Sequence, residues 1–351
     1  MRKFKLLFVF LAVLSLVPAA WAWGAHVHRT LTYLALDGLP ADAPAWLRDP
    51  VVRQRIAFET NQPDRWRGWN SDVLKHENDP EHYLDVEDLD QFGLTLDALP
   101  RLRGEYVRAM VMAKCAHPEK MAPYDAEKDP ARTHEWPGYV PYAVAEHYAK
   151  LQAAFNQVRI LEELNDPARR EQLEQSRALA IIHLGALAHF VEDIAQPLHT
   201  TKHHNGWVGE NPAGYKWRDR FHSYIDEGWA DKHHITRAAL RPAVKYDAKV
   251  NAADPWTDVL AYLRRSHAQM EPLYVLERDG KLDGPEGEKL ITTQLGDAAA
   301  MLSALVWGAY TSAEPTPKQV ESWVHYEGTD LDAGASATPP TAPPAGAKSG
   351  E

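Results

Sequence analysis

The chain has 351 residues, a formal charge of −11 at neutral pH and a hydrophobic share of 45%. That length allows one large domain or two ordinary ones, and the apolar share is ample for a core. The acidic balance excludes a protein that grips nucleic acid with a broad basic surface, since counterion release needs clustered Lys and Arg. It leaves room for a metal enzyme with an anionic substrate, because bound cations supply local positive charge.

The chain opens with a short cationic stretch, an apolar run from Leu6 to Val17 and the triplet Ala20, Trp21, Ala22. This pattern predicts a signal peptide over residues 1–22, cleaved between Ala22 and Trp23, and a secreted or periplasmic protein. Ser15 and Pro18 interrupt the run, which falls short of the roughly 20 residues that span a bilayer. A retained anchor is the alternative, and no later segment is expected to cross a membrane.

Beyond the cleavage site, apolar residues recur at three and four spacing and strand-like alternation is scarce, which predicts an all-α protein. Helices are expected over 26–36, 104–115, 141–164, 167–194, 215–230, 256–270 and 287–312, with the segments between them as loops. Two of those loops, 61–100 and 117–137, are long enough to suggest a role at a functional site. Residues 23–327 read as one domain. From 328 onward the sequence collapses to Gly, Ala, Thr, Ser and Pro, the composition of a disordered tail. The single cysteine, Cys115, excludes an intramolecular disulfide and reads as a small buried side chain.

The 17 histidines raise the question of metal. In HFVEDIAQPLH, His189 and Asp193 stand four apart on one helical face, and Pro197 ends the helix so that His199 turns back toward them. RFHSYID repeats the spacing with His222 and Asp226. Such a pair alone is commonly a surface hydrogen bond, but His189 and Asp193 lie in the apolar run IIHLGALAHFVEDIAQPL. Burying those groups unpartnered would be expensive. At the mature start, Trp23-Gly24-Ala25-His26-Val27-His28 brings an amine, a carbonyl and two imidazoles together. Fraying is the ordinary fate of such a terminus. His183 reads as a core or supporting histidine, and the His203–His204 and His233–His234 pairs as exposed loop residues.

Taken in order, Trp-Gly-x-x-x-His, His-Phe-x-x-Asp-x-x-Gln-Pro-Leu-His and His-Ser-x-x-Asp resemble the zinc-dependent phospholipase C and single-strand-specific nuclease superfamily. The resemblance runs from Trp23 to about Asp226 and implies a compact, single-domain helical bundle with long active-site loops and three zinc ions in a cleft. One zinc would be held by Asp64, His82, His189 and Asp193. A second would take the Trp23 amine and carbonyl, His28 and the other oxygen of Asp193, and a third His199, His222 and Asp226. Against three Asp, three Zn²⁺ leave a charge of about +3, suited to a phosphodiester.

A hydroxide shared by the close pair of ions would attack phosphorus, with the third ion taking up charge on the leaving oxygen. Asp64 or Asp193 would orient the nucleophile, and Arg67 would clamp the phosphate. The early first histidine, Asp226 where the phospholipases carry Glu, and the long 199–222 segment resemble the nuclease branch. There Tyr83 would stack on a base and Asp85 would accept from it.

The implied substrate is single-stranded nucleic acid or nucleotides, cut by a nuclease or 3′-nucleotidase. The alternative is a phospholipase C acting on headgroups at a membrane surface, with Trp207, Tyr215 and Trp217 suiting a base or a choline-like cation. A non-catalytic zinc-binding protein is the remote alternative. No obligate protein partner is expected. The chain departs from the nuclease pattern in lacking disulfides and in carrying TKHHNGWVGENPAGYKW in place of a Gly-Gly-Asn loop.

Overall fold

The computed structural model describes residues 23–327. The readings of a signal peptide and a disordered tail fall outside them. In chain order the helices are α1 (Ala25–Asp37), α2 (Pro50–Glu59), α3 (Gln62–Arg67), α4 (Asp72–Asn78), α5 (Arg103–Ala116), α6 (Val140–Leu164) and α7 (Arg170–Ile194). Then come α8 (Phe221–Ser223), α9 (Trp229–Lys232), α10 (Arg237–Leu240), α11 (Trp256–His267), α12 (Met270–Arg278), α13 (Pro285–Thr311) and α14 (Pro317–Tyr326). Among the described residues the only β pairing is an isolated bridge between Leu84 and Gly138, so the protein is all-α.

Helix α7 is the centre of the fold. It pairs with α6 along its length and packs against α1, α2 and α13. Its C-terminal part, from Leu184 to Ile194, is buried at every position. Surrounded on all sides, this stretch has no solvent-facing side, and its polar residues His189, Glu192 and Asp193 are buried with the apolar ones. The α6–α7 connection is tight. Asn165 closes α6 in the left-handed region at φ +46°, and Asp166 accepts from the Ala168 N–H at 2.9 Å.

One glycine sets the approach of α2 to α7. A Cβ on Gly185 would stand 2.5 Å from Glu59 Cβ and 2.8 Å from the Glu59 carbonyl carbon. No side chain fits there, so the last turn of α2 is drawn onto α7 one helical turn before His189.

Several expectations need correcting. The 61–100 segment is not a loop: it holds α3, α4 and short 3₁₀ turns such as Asp79–His82 and Val86–Phe92. Helix α2 was not expected because it buries only Ile56 and Ala57, too few residues to make a periodic pattern. Its start is nevertheless marked by Asp49, which accepts from the Val51 and Val52 N–H groups, and by Pro50. Helix α14 buries no residue and is held by a Thr316–Gln319 capping box.

The 215–230 helix begins only at Phe221, because Gly214 and Arg220 adopt positive φ and Tyr215 is drawn among Trp207 and Tyr274. The 256–270 helix ends at His267 and a separate α12 follows. Helix α13 is long and apolar enough to cross a membrane by length and composition, but most of it is buried inside the fold. Cys115 is exposed rather than buried.

Candidate metal centre

Buried His and Asp side chains gather at the C-terminal end of α7. Three groups each place one ligand atom per residue within 4.8 Å of the others: His28, Asp64 and His189; His82, His189 and Asp193; and His199, His222 and Asp226. The third group is the set implied by the resemblance. The first two share His189, and His28 Nε2 also lies 3.6 Å from Asp193 Oδ1, so they form one continuous cluster. The His28 and His189 rings stack with centroids 4.3 Å apart.

Each segment is delivered for a local reason. His28 lies on the buried face of α1 and His189 and Asp193 on α7. Asp64 is in the first turn of α3, and His82 ends a 3₁₀ turn seeded by Pro80. After α7, Pro197 starts another 3₁₀ turn that carries His199 back to the cluster, as the sequence predicts. His222 and Asp226 span the junction of α8 with a π-helical turn, Tyr224–Gly228. Such wide turns recur at functional sites.

Hydrogen bonds fix several rings in a metal-competent pose. His189 Nδ1–H donates to the Thr60 carbonyl at 2.8 Å, and His199 Nδ1–H to the His82 carbonyl at 2.7 Å. His28 Nδ1 meets Glu192 Oε2 at 2.7 Å. In each case Nε2 is left facing the cluster, the arrangement in which an outer acceptor orients a ligating imidazole. His28 Nε2, His199 Nε2 and Asp193 Oδ1 are buried without a hydrogen-bond partner, and His222 Nε2 and Asp226 Oδ2 have only each other, 3.1 Å apart. Gln196 donates to the other Asp226 oxygen at 2.7 Å. Buried orphan atoms such as His28 Nε2, His199 Nε2 and Asp193 Oδ1 are costly in a folded protein, and a cation supplies the partner they lack. The residues present therefore fit a metal ion.

Burial holds the imidazoles neutral, which is the ligating form. It drives His28, His82 and His189 well below the usual range, aided at His82 and His189 by the Arg67 charge. His199 and His222 fall to about 3, again chiefly by burial. The same burial pushes Asp226 up to about 7 and Asp193 and Glu192 well above the carboxylate range. A bound cation reverses the carboxylate shifts, because it favours the ionised form.

Trp23 is fully buried beside this cluster. Its indole N–H donates to the Glu192 carbonyl at 3.1 Å, and the next N–H, of Gly24, donates to the Asp226 carbonyl at 3.0 Å. The Trp23–Gly24 segment is thereby pinned between both halves of the centre.

A cleft of about 300 Å³ opens onto the cluster, lined by His82, His199 and His222 together with Arg67, Tyr83 and Asp85. Arg67 Nε stands 3.6 Å from Asp64 Oδ1. The Tyr83 hydroxyl donates to the Thr133 carbonyl at 2.6 Å, and its ring lies 5.6 Å from that of His134. Desolvation raises the Asp85 carboxyl well above its usual range.

Some residues are placed differently from the sequence reading. Trp207, Tyr215 and Trp217 do not line the cleft; they pack around Tyr274, and Trp207 stacks on His203 at 4.1 Å. His203 is buried rather than exposed, and His204 lines the cleft. His183 meets His147, Nδ1 to Nδ1 at 3.4 Å, outside the metal groups. His26 is bonded to the Ile235 carbonyl at 2.8 Å.

Sequence reasoning missed the supporting residues. Glu192 is buried, accepts from Thr32 and holds His28. Its signal was available: a second carboxylate beside Asp193 in an apolar run. Thr60 and Asn78 gave none, because their contacts are set by how α2, α3 and α4 pack.

The fold and the site together define an all-helical protein with a buried His/Asp centre positioned to bind metal. The chain matches no protein-family model and no curated protein.

Proposed function

We propose that this chain is a secreted zinc-dependent phosphodiesterase acting on single-stranded nucleic acid, a nuclease or 3′-nucleotidase. One observation carries the reading: His28 and His199 each have Nδ1 engaged and a buried Nε2 without a hydrogen-bond partner, beside the buried carboxylates Asp193 and Asp226, and His199 lines a cleft that also presents Arg67. Purely structural histidines would have both nitrogens satisfied.

His28, His82, His189, His199 and His222, with Asp64, Asp193 and Asp226, would hold zinc, and the Trp23 amine and carbonyl would complete one site. When bound, zinc supplies Lewis acidity and a water with a pKa lowered to about 7. Arg67 binds the non-bridging phosphate oxygens and stabilises charge developing on them. Asp64 and Asp193 set the direction of attack through their fixed oxygens. Tyr83 and Asp85 form the wall that receives a base, Tyr83 by ring contact and Asp85 by hydrogen bonding. Leu198 and the imidazoles lining the cleft narrow it around the phosphate.

The test uses mature protein beginning at Trp23. Metal content is measured, and hydrolysis of single-stranded DNA, RNA and phosphatidylcholine is followed with and without chelator. About three zinc ions and chelator-sensitive nucleic-acid cleavage support the reading. Headgroup release without nucleic-acid cleavage makes the protein a phospholipase C on the same ligands. Stoichiometric zinc without hydrolysis of any of these makes it a zinc-binding protein, and protein that takes up no metal refutes the centre itself.

A further inference from the structure

The cations of the cleft come from one side. Of its lining residues only Arg67 and Lys75 are Arg or Lys, the first in the last turn of α3 and the second in the last turn of α4. The turn between them exposes Trp69 to 68% and, at the start of α4, Val73 to 77%. Hydrogen bonds from Gly68 N–H to the Asp64 carbonyl at 2.9 Å, Trp69 N–H to Trp66 at 3.1 Å and Ser71 N–H to Trp69 at 2.8 Å brace this turn. The indole is therefore held out on a firm mount. Leaving so large an apolar side chain in water forgoes about 1.5–3 kcal/mol of burial. On the same short helix as Arg67, the Arg65 guanidinium lies over the exposed Phe58 ring at 4.0 Å.

We propose that Trp69 is a stacking platform for single-stranded nucleic acid entering the cleft, with Arg67 and Lys75 holding the phosphates that follow. The proposal rests on the nuclease reading above and extends it to the path of the strand. Flat aromatic surface interleaved with cations is the chemistry that holds a single strand without reading its sequence. In a chain with net charge −11, the Arg67 guanidinium and the Lys75 ammonium at the cleft complement a polyanion. A lipid surface is less well served, because Val73 is the one exposed apolar neighbour of the indole in a turn whose other exposed residues are Gly68, Asn70 and Asp72.

The test compares kcat/KM on a long single strand with kcat/KM on a dinucleotide too short to reach the turn. It uses the zinc-loaded wild type, Trp69→Ala and Trp69→Phe, with zinc content and circular dichroism confirming that each variant is folded. Trp69→Ala is expected to lower the long-to-short ratio roughly tenfold, and Trp69→Phe to retain most of it. An unchanged ratio in Trp69→Ala, while the wild type still cleaves nucleic acid, overturns the platform and leaves the nuclease reading intact. A wild type that cleaves no nucleic acid refutes both. If Trp69→Ala instead loses binding to phosphatidylcholine vesicles with the ratio unchanged, the turn meets membrane and the proposal is overturned.

Discussion

His28 Nδ1 and a Glu192 carboxylate oxygen lie 2.7 Å apart, and both side chains are fully buried. The contact turns His28 Nε2 toward Asp193. An outer carboxylate of this kind raises the basicity of the ligating imidazole, and its loss weakens metal binding roughly 10–100-fold. Glu192→Gln is therefore expected to release one zinc equivalent at a lower chelator concentration than wild type, with the fold preserved. Competition titration against a chromophoric chelator measures this, and unchanged affinity would remove His28 from the ligand set.

Gly185→Ala tests the placement of His189. The added methyl meets Glu59 at the end of α2, whose next residue, Thr60, accepts from His189 Nδ1 at 2.8 Å. Overpacking of this type costs about 1–3 kcal/mol. We expect a lower Tm and, separately, weaker zinc retention, since the carbonyl that orients the ring is displaced. A Tm loss that is the same with and without metal would show that the glycine serves packing alone.

An added residue before Trp23 converts its amine to an amide, which is a poor ligand. Trp23 is buried and the Gly24 N–H is bonded to the Asp226 carbonyl, which holds the Trp23 backbone beside the cluster. Protein with one extra N-terminal residue is expected to bind one zinc fewer and to lose most of its activity. Full metal content by elemental analysis would exclude the terminus from the centre.

Acid stability has an identifiable contributor away from the metal. Burial holds His147 at about 3 against an ordinary 6.5, with Lys150 and His183 adding to the effect; its ring faces Phe190 and His183. A depressed folded value means that the unfolded chain takes up the proton first, so this contribution is present above about 6.5 and is lost as pH falls toward 3. His147→Gln should lessen the drop in Tm between neutral and acid pH. An unaltered Tm–pH curve would show that His147 does not set the acid limb.

The long helices and the paired His and Asp residues of the candidate centre were legible because they leave periodic or spaced signals. α6, α7 and α13 bury continuous stripes, and His189 with Asp193, like His222 with Asp226, obeys one-turn spacing. What stayed hidden depends on contacts rather than on pattern. α2 and α14 bury almost nothing, so only their caps announce them. The aromatics Trp207, Tyr215 and Trp217 looked available to a ligand, yet they are consumed by Tyr274. His82 was named in the sequence through the resemblance alone, since it ends a 3₁₀ turn braced by Asn78 and Pro80 and has no helical spacing of its own.

With one cysteine in the chain, no covalent tie joins its distant parts. The segments that meet at the His/Asp cluster span residues 28 to 226, and holding such ends together in an unliganded chain costs loop entropy. An ion that clasps them does the work of a cross-link, one that forms without oxidation and opens to a chelator. Because it binds the folded arrangement and not the open chain, its free energy of binding is added to that of folding. The loaded protein is thus expected to resist heat and proteolysis as a single cooperative unit, and the stripped protein to yield first where α1, α3 and the 221–232 segment converge on α7.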